Sequence, residues 1–179
     1  MFGKISKNKF AGILYDTVLS ETNMLGKKMK ENELLKDKLY IDRNTFTEVS
    51  MLFHLNAYRD LLIRKYPPQS VFEVLMLCID ELAAHSTKFQ PFERNKAFKE
   101  MFMELMGVTN KSTKEAALNN EDPVYAFAVA MIGAFFTDQI NTLTEEEDGA
   151  SFESLINCVA DHIKQLKNNS SIMNLKVRM

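Results

Sequence analysis

The sequence predicts an all-α protein: a single-domain, irregular bundle of about six helices over residues 1–170, followed by a basic C-terminal tail, residues 171–179. Three observations carry this reading. Apolar residues recur at three- and four-residue spacing through every strongly patterned segment. Proline and glycine are scarce, four and six among 179 residues, too few for the frequent turns of an all-β domain. Several of the patterned segments also open on a helix-start signal. Apolar residues at 46% and charged residues at 26% are the mix of a chain that folds around a core rather than a disordered one, and the length suits one domain.

The first helix is expected over Ser6 to Met29, with Phe10, Ile13, Leu14, Val18 and Leu25 on one stripe. Gly26 and the Lys27-Lys28 pair offer an earlier end, since cations favour a helix C-terminus. Residues 31–43 are polar and poorly patterned, a short helix or a loop. A capping box, Thr45-Phe-Thr-Glu48, predicts the start of the second helix, which should run to Lys65 and stop at Pro67-Pro68. A second box, Ser70-Val-Phe-Glu73, predicts the start of the third, with Pro68 as an alternative occupant of its first turn. That helix, near residues 69–88, is apolar almost all round from Val71 to Leu82 and is expected, together with the fifth helix, at the centre of the bundle.

Gln90-Pro91 punctuates the chain, and a fourth helix should run to Met106 with Phe98, Met101, Phe102 and Leu105 on one stripe. Gly107 is the expected C-terminal cap, because glycine adopts the left-handed conformation without penalty. Residues 108–122 then read as a polar connection with room for one short helix after Ser112-Thr-Lys-Glu115. Asp122-Pro123 is an N-cap followed by a first-position proline. It opens a fifth helix, to Thr142, that holds the longest apolar run, Val124 to Phe136. Ala126, Ala130 and Ala134 recur there every four residues, and Gly133 suggests close packing or a bend. Thr144 to Gly149 is acidic, and the last helix, Ser151 to Lys167, carries Phe152, Leu155, Ile156, Val159, Ile163 and Leu166 on its apolar face.

Thirteen apolar residues are too few to span a bilayer, which needs about 20, so no membrane span is expected. The basic N-terminus has an apolar stretch, Phe10 to Tyr15, too short for a signal peptide. Cys78 and Cys158 lie inside apolar helical windows and read as inert thiols, which points to a reducing, cytoplasmic setting. Charge is uneven: residues 115–161 hold ten acids and no lysine or arginine, while residues 162–179 hold four bases and no acid. This reads as a solvated acidic face balanced by basic ends, or as an acidic surface for a basic partner. Lysines 27, 28, 30, 36 and 38 with Arg43 do not make a nucleic-acid surface on a chain of pI near 6.0 with no recognition helix.

Three histidines, His54, His85 and His162, fall on separate helices. Glu81 and His85 stand four apart, on one face of the third helix, and are a candidate metal pair; the bland alternative is an intrahelical Glu-His contact at a solvated edge. The twice-repeated Glu-x-x-His of a di-iron bundle is missing. Asp80 and Glu81 interrupt an apolar helix and are the candidates for buried carboxylate chemistry, or else, with Glu73, mark the face that meets water. The stretch Glu81-Leu-Ala-Ala-His85-Ser-Thr-Lys-Phe89, followed by Pro91 and a further helix, resembles the proximal-histidine helix of the globin family. His54, 31 residues earlier, stands where a distal histidine would. The resemblance implies haem held by His85 with His54 opposite.

Nucleophile elbows, phosphate-binding glycine loops and calcium-binding loops are absent from the sequence. The functional expectation is therefore a non-enzymatic cytoplasmic protein-interaction, regulatory or chaperone-like domain with no cofactor. The alternative is a small-molecule or haem-binding sensor built near His85. Thirteen phenylalanines and eleven methionines suit an adaptable apolar groove, for which Met101, Met103 and Met106 are the candidate partner-binding residues. The partner is expected to be a protein, a second copy of the chain included.

Overall fold

The computed structural model describes residues 4–33, 43–86, 90, 92–135, 149–169 and 171–178. Six α-helices stand among them: α1 (Lys7–Glu31), α2 (Arg43–Leu62), α3 (Pro68–His85), α4 (Arg94–Leu118), α5 (Pro123–Phe135) and α6 (Gly149–Asn169). The protein is all-α, and among the described residues strand is confined to a two-residue parallel pair, β1 (Ile5–Ser6) and β2 (Val177–Arg178). The expected polar segment at 34–42, the end of the fifth helix beyond Phe135 and the acidic stretch from Thr144 to Asp148 lie outside the described residues.

Helix α1 begins where expected: the Ser6 hydroxyl accepts from the Lys9 amide at 3.3 Å. It does not end at Gly26. A Cβ at Gly26 would stand 3.0 Å from the Phe46 ring, so this glycine admits α2 to close approach instead of breaking α1. The two capping boxes expected at Thr45 and Ser70 are not where α2 and α3 start. Both residues lie inside their helices, and the glutamates reach across the bundle: Glu48 accepts from the Ser86 hydroxyl at the end of α3, and Glu73 pairs with Lys7 of α1. Pro68 takes the first turn of α3, where its missing amide costs nothing.

The largest departure is in α4. Gly107 is not a cap; the helix runs on through the expected connection to Leu118. The physical reason is tertiary. Thr109, fully buried, returns its hydroxyl to the Leu105 carbonyl at 2.9 Å and accepts from Asn56 of α2, and Ala116 is buried two turns further along the same face. The stop comes at Asn120, whose φ of 58° is left-handed, with the Glu121 amide donating to the Ala116 carbonyl at 2.8 Å in the six-to-one bond of a Schellman end. This difference has a measurable sign. Because Gly107 is exposed in a helix interior and a Cβ there would meet nothing within 4 Å, Gly107→Ala should stabilise the protein by about 1 kcal/mol in urea unfolding. A left-handed cap would have shown a loss.

Asp122 caps α5 as expected, its carboxylate accepting from the Val124 amide at 2.8 Å. Gly133, by contrast, faces open space rather than a neighbouring helix. The centre of the bundle is also not where the apolar pattern placed it. Helix α3 leaves Phe72, Glu81 and His85 exposed, whereas in α2 eleven consecutive residues, Glu48 to Tyr58, are buried. The polar members of that run hid its position: Glu48, Ser50, His54 and Asn56 depress its mean hydropathy, yet Glu48, His54 and Asn56 each meet a polar partner inside the core, while Glu48 Oε2 and Asn56 Oδ1 are buried without one among the described residues. After α6 the chain does not leave the surface. Ile172 and Val177 are buried, Lys65 donates to the carbonyls of Met173 and Leu175, and the Tyr66 hydroxyl donates to Leu175 at 2.8 Å.

Candidate functional site

The polar cluster with the most unusual chemistry lies where α1, α2 and α6 meet. His54 is wholly buried and His162 is 1% exposed. Each is carried inward because its helix packs that face against the other two. Their Nε2 atoms are 2.9 Å apart, with ring planes at 81° and centroids separated by 5.1 Å.

One proton arrangement satisfies the whole cluster. His54 Nδ1 lies 2.7 Å from the Ser50 carbonyl oxygen, which only accepts, so Nδ1 carries a hydrogen and, in the neutral ring, Nε2 is an acceptor. His162 must then donate from Nε2, which leaves its Nδ1 as an acceptor. Facing that atom, at 3.5 Å, is the Lys28 ammonium, a donor, which also gives a 2.6 Å bond to Gln165. The Thr22 hydroxyl lies 3.2 Å from His54 Nδ1 and shares its hydrogen. The relay therefore runs from Lys28 through His162 and His54 to the Ser50 carbonyl, and every ring nitrogen has a partner.

Electrostatics favour this neutral state. Burial, only partly offset by the Ser50 carbonyl, pushes His54 down to about 4. Burial, then the facing His54 ring, then the Lys28 charge push His162 down to about 3. Glu21 is the counter-charge at hand, its carboxylate 3.4 Å from His162 Nε2, and its own pKa is raised by partial burial, offset in part by the Lys28 charge. The two Nε2 atoms stand at hydrogen-bond distance, with one proton between them. Among the described residues no group of three His, Cys, Asp or Glu side chains is arranged to hold a metal ion.

The residues singled out from sequence are distributed differently. His54 has contacts with Thr22, Ser50 and His162; His85 has contacts with Glu81 and Tyr15, so the two histidines of the globin-like reading share no neighbour. His85 is exposed, its Nε2 3.1 Å from Glu81 one turn back. Asp80 pairs with Lys99 of α4 at 2.6 Å. Met101 and Met106 are half-buried against the core and Met103 is 46% exposed. Cys78 donates to the Ala11 carbonyl and is pushed up to about 12, chiefly by burial, as befits an inert thiol. From sequence, His162 has no assigned role, Lys28 reads only as a helix-end cation and a member of a basic cluster, and Glu21 carries no signal. The partners stand 108 and 134 residues apart along the chain, and no local spacing signals such a pairing. Comparison with protein-family models, with curated proteins and with solved structures found no match.

Proposed function

We propose that the chain is a non-enzymatic, cytoplasmic helical domain that binds another protein through the outer faces of α4 and α5. The observation that carries this reading is the set of large apolar side chains left exposed on these two successive, mutually packed helices. Val108 and Leu118 are exposed on α4, at 43% and 74%, and Tyr125 and Val129 stand one turn apart on α5. Met103 adds to the outward side of α4. Apolar groups of this size cluster at sites that meet partners. Met101 and Met106 contribute from beneath, as adaptable packing under the face rather than as contacts. Among the described residues no helix is long and apolar enough to cross a membrane.

The test is a photo-activatable residue placed at Val108 or Val129 in cells of the source organism, with Lys96 and Asp161 as control positions. A discrete adduct from the first two positions, lost in Leu118→Glu with helicity intact, supports the reading. An adduct of twice the chain mass would identify the partner as a second copy. Equal adducts from all four positions, or none, would overturn it.

A further inference from the structure

The buried histidine pair is placed to do more than fill the core. We propose that His54, His162 and Lys28 form an acid-operated latch, in which uptake of two protons separates the C-terminal half of α1 from α2 and α6. The relay has room for one proton between the rings and no more. A second would turn the His162 or His54 acceptor nitrogen into a donor facing another donor, with the Lys28 ammonium already 3.5 Å from His162 Nδ1. The ionisable groups facing the pair are Glu21 and Lys28 from α1 and, one turn back on α6, Cys158; α2 presents only the Ser50 carbonyl, and no described group of α3, α4 or α5 enters the electrostatics of either ring. Glu21 compensates one positive charge at most. Separation is the remaining way to accept two protons, because water then solvates both imidazolium ions.

The opening is confined to one half of α1 by how that helix is held. From Thr22 onward its polar ties run to the histidine pair and to α6: Thr22 to His54 and Lys28 to His162, which depend on the protonation of the rings, with Lys28 to Gln165 and Asn32 to Ser154 of α6 at 2.9 Å beside them. Before Thr22 they are apolar or titrate far from this range: Phe10, Leu14 and Val18 are wholly buried, Cys78 donates to the Ala11 carbonyl, and β1 pairs with β2. Acid therefore releases Leu25 and Met29, both buried in the closed form, and leaves the N-terminal half docked.

Hydrogen exchange of the intact protein, corrected for intrinsic rates, tests this. Protection of amides 22–31 should fall about 50-fold between pH 6 and pH 5, the two-proton dependence expected of rings that titrate normally once open, while protection in α3 and α4 holds. Lys28→Met, a half-exposed position, should move the transition to lower pH by relieving the repulsion in the closed form, and His162→Gln should reduce the dependence to one proton. Protection unchanged with pH, an equal loss in every helix, or a Lys28→Met profile that overlays the parent would each overturn the latch. If His162→Gln does not fold, imidazole nitrogen shifts of the parent across the same range decide between one neutral relay and two independent rings.

Discussion

Acidification from pH 7 to pH 5 should lower the free energy of unfolding by about 3 to 4 kcal/mol. Both buried histidines are neutral in the folded protein, at about 4 and about 3, and titrate near 6.5 once the chain is unfolded. Between those limits the unfolded state binds more protons than the folded one, so stability is full above pH 6.5 and is lost as pH falls toward 4 and 3. Each ring contributes up to ~1.4 kcal/mol per pH unit in that window. Glu21 acts in the opposite sense, since its raised pKa lets the folded state take a proton first, and it offsets part of the loss. Urea unfolding at half-unit pH steps measures the effect. A flat profile from pH 7 to 5 would show that the rings are solvated, and replacing both histidines by glutamine should remove most of the slope.

Phe53→Ala should cost about 3 to 5 kcal/mol, the range for deleting a buried ring from a core that cannot collapse around the void. Phe53 is wholly buried in the middle of α2 and meets Phe127 of α5 edge to face, with centroids 5.4 Å apart. It thus sits at the junction of the most buried helix and the most apolar one. Typical stabilities are only about 5 to 15 kcal/mol, so the variant should show a greatly lowered urea midpoint with an unchanged slope. Phe127→Ala should be of similar size, and the double variant should lose less than the sum because both deletions open the same space. A loss below 1 kcal/mol would mean that α2 is not the centre of the bundle.

The sequence by itself determined the fold class, the number of long helices and several of their ends. Those features depend on neighbours three or four residues away: the Ser6 cap, the Pro68 first turn, the Asp122-Pro123 start and the apolar stripes of α1 and α6 are all local chemistry. The tertiary structure decided what local chemistry leaves open. Gly107 reads as a cap until the buried Thr109 and Ala116 make continuation of α4 more favourable. The run from Glu48 to Tyr58 reads as half-polar until Ser86, Thr109 and His162 arrive as partners for Glu48, Asn56 and His54. The histidine relay is the furthest case. His54 acquires its partner from a residue 108 positions away, and its low pKa arises from burial that three separate helices jointly create, a quantity that no window of sequence contains.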